Sequence, residues 1–505
     1  MLAKINTIAF NGLEILDVDL QIQISSGLPA FTIVGLPDKA VAESKERVRA
    51  ALNSLGLSLP AKRITINLAP ADLLKEGSHY DLPVALSLLV GIGVLPQEEL
   101  NNYIAAGELG LDGGIIKING ILPVAIHANS KNMGLICPQA CGGEAAWSGL
   151  KDIIAADSLL SIINHFKGSQ IIPYPQTEKE SGKNSLLDMA DVKGQETAKR
   201  ALEIAAAGAH NLLMIGPPGS GKSMLASRLT SILPSMSTEE ALETSIIHSI
   251  AGELKNGKLD FSRPYRNPHH NASTPALVGG GRKGQPGEIS LSHNGVLFLD
   301  ELPEFARPTL EALRQPLENG EVSISRVSAH TKYPAKFQLI AAMNPCRCGN
   351  LGSTKLECSK APKCAEEYQA KISGPLLDRI DMQIEVPAVS PWDISNTKKG
   401  ESSAEILKRV TKAREIQKKR FEEFGIKNLR TNSELTGDLL ETATCLDSST
   451  KSFLIDVANK MNMSARAYHR ILRVARTIAD LQNEIKVINI HVAEAISYRR
   501  FIASL

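Results

Sequence analysis

The sequence is poor in aromatic side chains: Phe, Trp and Tyr make up 4% of its 505 residues. A protein that binds nucleic acid chiefly by stacking bases on rings needs more of them, so that mode is disfavoured. Net charge is also scarce. Lys and Arg number 56 against 54 Asp and Glu, a formal +2. This excludes a histone-like blanket of positive charge but not a channel that is basic only locally. No apolar run approaches the roughly 18 uncharged residues of a membrane helix. Residues 1–7 have no charged stretch leading into a long apolar core, so no signal peptide is expected. Seven cysteines, an odd number without an export signal, predict a reducing cytoplasmic setting. Hydrophobic residues are 43% and charged residues 22%, ordinary values that exclude whole-chain disorder. The length predicts roughly two to four domains.

Three compositional regions follow one another. In residues 1–165, segments 22–24, 31–34 and 64–68 read as strands. Segment 39–55 reads as an amphipathic helix with Val41, Val48, Ala51 and Leu52 on one face. Segment 82–89 is an apolar helix that tolerates Pro83 in its first turn, and 107–114 is a strand entering a hairpin turn. Residues 166–185, with Gly168, Pro173, Pro175 and Gly182 among polar side chains, read as a linker. From 186 to 389 strands and helices alternate as in a nucleotide-binding α/β domain. Residues 390–505 are mostly helical, with helices expected at 404–424, 450–460, 464–483 and 491–502. There is no internal repeat and no low-complexity tract.

The chemistry is concentrated in the middle region. An apolar strand at 212–215 runs into Gly216-Pro217-Pro218-Gly219-Ser220-Gly221-Lys222-Ser223, and a helix is expected from Met224. This is a phosphate loop in the context such a loop requires. Backbone N–H groups and the helix N-terminus face the phosphates, Lys222 reaches the terminal ones, and Ser223 ligates Mg²⁺. A second apolar strand ends in Asp300 and Glu301. Asp300 is placed to hold the Mg²⁺ shell and Glu301 to polarise the attacking water. That pair favours ATP hydrolysis over simple binding. A third strand, 337–343, ends at Asn344, whose amide can orient the same water. Cys346, Cys348, Cys358 and Cys364 follow directly. Four clustered thiols in a reducing compartment predict a closed structural Zn²⁺ site more than free buried cysteines, although the spacing is not that of a standard zinc knuckle.

Taken together, these pieces resemble the AAA+ ATPases. On that resemblance Asp300 and Glu301 form the second nucleotide motif and Asn344 is the first sensor. Val192 lies in the segment lining the adenine pocket. Residues 374–381 resemble an arginine-finger segment, so Arg379 would reach the γ-phosphate on a neighbouring subunit. Arg466 matches the second sensor at the start of a lid helix. Arg470 and Arg473 share its face, which suits phosphate sensing more than DNA.

The stretches 268–281 and 286–295 resemble the second-helix insert of magnesium-chelatase ATPase subunits, and 314–318 and 322–326 also resemble that group. His269 and His270 there read as hydrogen-bonding loop residues rather than metal ligands. The N-terminal region resembles a Lon-protease-like domain (ribosomal S5 domain 2-like). Asp81 and Leu122 stand where that protease carries its Ser and Lys, and Lys75 with Ser78 makes a poor dyad. The region is therefore expected to be non-proteolytic. Over nearly its full length the chain resembles the ComM (YifB-like, magnesium-chelatase-related) family. That resemblance implies a homo-hexameric, ATP-driven DNA helicase promoting branch migration as transforming DNA is integrated. Its partners would be single-stranded and branched DNA and recombinase or loader proteins, with no membrane. The competing expectation is a chelatase-type motor that remodels a protein. Candidate pore cations are Arg282 and Lys283 on the glycine-rich insert, with Arg326 and Lys332 bracketing a hairpin-like stretch. The basic stretch 398–430 reads as the exposed face of a helix.

Overall fold

A computed structural model describes residues 2–177, 187–254, 257–281, 284–325, 330–349, 351, 358, 360–389, 399–426 and 428–499. The first part of the chain builds strands β1 (Leu2–Asn11), β2 (Glu14–Ser25), β3 (Ala30–Val34), β4 (Arg63–Ala69), β5 (Tyr103–Ala105), β6 (Glu108–Leu109), β7 (Ile115–Ile116), β8 (Gly134–Pro138) and β9 (Ile153–Ala156). β1 and β2 form a long hairpin, Leu2 facing Gln23 and Asn11 facing Glu14. They sit inside a mixed sheet of order β3-β4-β2-β1-β5-β8-β9. Helix Lys39–Ser54 buries Val41, Val48, Ala51 and Leu52, the stripe its 3.6-residue period predicts. Asp38 caps it, accepting from the Val41 N–H at 2.8 Å and supplying a partner to one of the free first-turn donors. Helix Asp81–Gly91 is buried along almost its whole length, which explains why its sequence is apolar apart from Asp81 and Ser87. β6 and β7 pair antiparallel, as the hairpin signal predicts.

The central part contains β10 (Leu212–Ile215), β11 (Tyr265–Arg266), β12 (Gly279–Gly280), β13 (Gln285–Pro286), β14 (Val296–Leu299), β15 (Glu321–Ser325), β16 (His330–Pro334), β17 (Gln338–Met343) and β18 (Met382–Glu385). Five of these make a parallel sheet of order β11-β14-β17-β10-β18. β10, β14 and β17 are buried at every position, the state their continuous apolar runs require, since helices cover both faces. Two antiparallel hairpins, β12–β13 and β15–β16, stand apart from the sheet.

The last part is helical: Ser403–Glu423, Gly437–Thr444, Ser448–Lys460, Ala465–Leu481 and Asn489–Ser497. These helices do not hang free. Val410, Ile471 and Val474 share one apolar cluster with Leu212 and Phe298 of the sheet. Residues 500–502 of the last expected helix lie outside the described residues, as do 178–185 of the expected linker. The earlier part of that linker is a packed strap. Tyr174 Oη donates to Leu150 O at 2.8 Å, and a Cβ on Gly142 would meet Pro175 Cβ at 2.9 Å. Pro and Gly signal the absence of regular structure, not the absence of contacts.

The N-terminal sheet is docked on the central part. Gly120 N donates to Ser249 O at 3.0 Å, Trp147 Nε1 to Gly257 O at 3.2 Å and Ser249 Oγ to Glu144 Oε1 at 2.5 Å. Leu13, in the β1–β2 turn, packs against the cluster containing Ile324 and Tyr333 of the β15–β16 hairpin. Among the described residues no helix is long and apolar enough to cross a membrane.

Candidate functional site

All five parallel strands point their C-terminal ends to one side, and ligands of open α/β sheets bind there. β10 leads into Gly216, β14 into Asp300 and Glu301, and β17 into Asn344, so sheet order alone brings the three motifs together. Gly219 and Gly221 have φ of 76° and 89°, conformations that other residues avoid. The following helix runs Lys222–Arg228 with Gly221 as its N-cap. It starts two residues before the expected Met224, because the motif's own Lys and Ser occupy the first turn. Lys222 is buried, and its Nζ donates to Gly216 O at 2.8 Å, Pro217 O at 2.9 Å and Asn344 Oδ1 at 3.3 Å. Burial lowers its pKa, and the charges of Asp300 and Glu301 oppose that. Ser223 Oγ donates to Asp300 Oδ2 at 2.5 Å, so the two side chains suited to a shared Mg²⁺ already meet. Their hard oxygen donors fit that ion, and the buried Lys222 ammonium at the start of a helix, beside the glycine-rich turn, fits phosphate.

Glu301 is half exposed, and its Oε2 lies 3.3 Å from His270 Nδ1. Its φ is +52°. Val192 is buried, one turn before Gln195, whose Nε2 donates to Pro387 O at 2.6 Å and Ser220 O at 3.3 Å. The segment expected at the adenine pocket is thereby tied to the phosphate loop and to the end of β18.

The sulfur atoms of Cys346, Cys348, Cys358 and Cys364 lie within 4.8 Å of one another. Sulfurs around a tetrahedral Zn²⁺ stand about 3.8 Å apart, so the four thiols fit such an ion. Their loop touches the glycine-rich loop after β10. A Cβ on Gly349 would meet Pro218 Cδ at 2.5 Å, and Gln369 Nε2 donates to Pro345 O at 3.0 Å.

Arg379 and Arg466 are elsewhere. Asn211, just before β10, donates through Nδ2 to Arg379 O at 3.0 Å. Arg379 therefore sits at the N-terminal end of β10, whereas the phosphate loop leaves its other end, about 13 Å away for four strand residues. Arg379 and Arg466 line one cavity of about 550 Å³ with Glu318, Arg470 and Arg473, and no phosphate-loop residue reaches it. Arg379 Nη2 donates to Glu318 Oε2 at 2.6 Å and Nη1 to Pro375 O at 2.7 Å. Arg379's hydrogen bond and charge hold the Glu318 carboxyl below its usual range, with smaller contributions from Arg466 and Arg314. Arg470 and Arg473, expected to sense phosphate beside Arg466, have internal partners instead. Arg470 Nε lies 3.4 Å from Asp381, and Arg473 Nε donates to Leu435 O at 2.6 Å.

Of the pore candidates, Arg282, Lys283 and Arg326 lie outside the described residues. Lys332 is exposed on β16, 3.7 Å from Glu321 of the paired strand. The basic stretch 398–430 is not one exposed face. Arg414 donates to Ala206 O at 2.6 Å, and Arg430 pairs with Glu243 at 3.2 Å across the core. In the N-terminal region Asp81 is fully buried and held by Arg47 at 2.6 Å. Leu122 N donates to Glu144 Oε1 at 3.2 Å. Lys75 Nζ donates to Pro70 O and Ser78 Oγ to Glu108, so Lys75 and Ser78 each have a different partner. Sequence reasoning did not foresee that Glu318 would pair with Arg379, nor that His270, expected to hydrogen-bond within its loop, would meet Glu301. Each meets its partner only through the order of the strands, and no local pattern marks either.

Residues 188–394 match the family described as magnesium chelatase, subunit ChlI. Residues 20–141 match subunit ChlI of Mg-chelatase, and 400–499 match the ChlI C-terminal family. Competence protein ComM of Haemophilus influenzae is 44% identical over 100% of this chain and 98% of its own length. Protein YifB of Escherichia coli is 42% identical over 99% of this chain and 97% of its own. A magnesium-chelatase 67 kDa subunit of Chlorobaculum parvum is 25% identical over 32% of this chain and 24% of its own length.

Proposed function

The chain belongs to the ComM/YifB group of magnesium-chelatase-related AAA+ ATPases, and from that premise we propose that it is a ring-forming, ATP-driven DNA motor that promotes branch migration while transforming DNA is integrated. The observation that carries the ATPase part is the convergence of Lys222, Ser223, Asp300, Glu301 and Asn344 at one end of the parallel sheet. The DNA part rests on the full-length likeness to a competence protein.

In this reading the phosphate-loop amides and Lys222 hold the triphosphate, and Lys222 gives up its carbonyl partners to do so. Ser223 and Asp300 would hold Mg²⁺, which neutralises charge across the phosphates. Glu301 takes the proton of the attacking water, and Asn344 fixes its orientation. Arg379 and Arg466, remote from their own phosphate loop, would serve the nucleotide of the adjoining subunit, which makes turnover depend on a ring. A Zn²⁺ held by the four cysteines would brace the loop behind Pro218. The N-terminal region, with Asp81 tied to Arg47 and no Ser–Lys dyad, acts as a non-proteolytic Lon-like module. The domain limits are proposed at 165, 185 and 389. The exposed Lys332 side chain on β16, with Arg282, Lys283 and Arg326 as the other candidates, would contact DNA phosphates.

The test is ATP hydrolysis by purified protein with forked, single-stranded and blunt duplex DNA, followed by strand displacement on a forked substrate. Stimulation greatest with forked DNA and ATP-dependent displacement are expected. Arg379→Ala should bind ATP normally yet lose hydrolysis by about 10³-fold or more. Absence of both DNA affinity at low salt and displacement would favour a protein-remodelling motor instead.

A further inference from the structure

Resting on Arg379 as a finger that works in trans, we propose that Glu318 is an internal stand-in for the neighbour's phosphate that must be displaced when the ring closes. Arg379 is 89% buried, whereas Glu318 is 55% exposed. The guanidinium is thus fixed by surrounding protein, and the carboxylate is the side chain free to leave. Arg379's planar fork fits a carboxylate or a phosphate equally well, and only one anion can take its outward edge. Arg466 and Arg314 add their charge at the same carboxylate. Arg379 and Arg466 line one cavity with Glu318, whereas Arg314 is paired with Glu311 at 2.8 Å, so two cations face this carboxylate, an excess suited to an anion of higher charge. Glu318 lies in the last turn of the short helix Arg314–Asn319, where a carboxylate is disfavoured by the partial negative charge of the helix C-terminus. Its pairing with Arg379 compensates locally. Once the neighbour's nucleotide supplies phosphate oxygens, Glu318 becomes a like charge beside them and has to swing out.

Glu318 therefore sets how readily subunits engage, not how fast an engaged site turns over. The experiment uses the full chain with a non-hydrolysable ATP analogue, following assembly by sedimentation over a protein dilution series, together with steady-state ATP hydrolysis. Glu318→Gln is nearly isosteric at an exposed position and should lower the assembly midpoint by about three- to fivefold, the worth of an exposed ion pair. The KM for ATP should fall in step, while kcat at saturation stays within about twofold. On an Arg379→Ala background the same substitution should leave the midpoint unmoved, because the pair it breaks is already gone. An unchanged or raised midpoint, a parallel fall in kcat, or a shift that persists without Arg379 would each overturn the role of Glu318. Normal hydrolysis by Arg379→Ala alone would instead sink the finger assignment, so the two failures are told apart.

Discussion

At Glu301 the backbone and the side chain carry separate marks of a working residue. Its φ of +52° places a non-glycine residue in the left-handed region, at a cost of roughly 1–3 kcal/mol that a folded chain tolerates where function over-determines it. Its carboxylate meets His270, on the segment leading to the glycine-rich insert. It is not consumed by a strong internal ion pair of the kind that immobilises Asp81. A group in that state is available to accept a proton. Glu301→Gln should therefore keep nucleotide affinity, read with a fluorescent ATP analogue, while single-turnover hydrolysis falls about 10²–10⁴-fold. Wild-type turnover would remove its role as base. The carboxylate was legible in the sequence because a strand ending in two acids is a local pattern. Its contact with His270 was not, because nothing near His270 in the chain marks the partner.

At the scale of the element, the cysteine loop is the clearest case of sequence and structure dividing the work. Four thiols after Asn344 predict a metal. That the loop also backs the phosphate loop through Gly349 and Pro218 is a matter of tertiary packing. Elemental analysis should find about one Zn²⁺ per chain, since four thiolates close one tetrahedral site. Cys348→Ser should lose most of that metal. Chelation should lower the melting temperature and weaken ATP binding together, because the two loops share a contact. Substoichiometric zinc in freshly purified protein would count against the site. The strands β10, β14 and β17 were readable from their apolar runs for a related reason. Each buried Val, Leu, Ile or Phe contributes about 1.5–3 kcal/mol, so a strand covered on both faces has little room for polar residues.

At the scale of the whole molecule, Glu144 is the joint between the N-terminal sheet and the ATPase core. It is buried, accepting from Leu122 N on its own side and from Ser249 Oγ across the joint. Burial raises its pKa, against those hydrogen bonds and the charge of Lys117. For a carboxyl with a raised folded pKa, the folded state holds the proton longer than the unfolded chain. Its ionisation then weakens folding as pH rises from the unfolded value toward the folded one. Glu144→Gln keeps an oxygen acceptor and removes the charge, so at pH 7 it should match or exceed the wild-type melting temperature. Glu144→Ala leaves both donors unpaired and should lose about 1–3 kcal/mol. Thermal unfolding from pH 4 to pH 8 checks both the order of the variants and the sign of the slope.

The sequence by itself determined the chemistry of the candidate nucleotide site. Glycine-rich loop, acidic strand end, strand-end Asn344 and cysteine cluster are each short, and each lies at one strand–loop junction, where residue type and spacing follow from local geometry. It also determined most helices and strands, through periodicity set by burial on one face or two. Only the tertiary structure decided which end of the sheet received Arg379 and Arg466, which acid met that guanidinium, and how the N-terminal sheet sits on the core. It also turned part of the apparent linker into a packed strap. Those outcomes depend on the order β11-β14-β17-β10-β18 and on contacts between residues far apart in the chain. Hydrophobic periodicity specifies which face of an element is buried, but not which other element covers it.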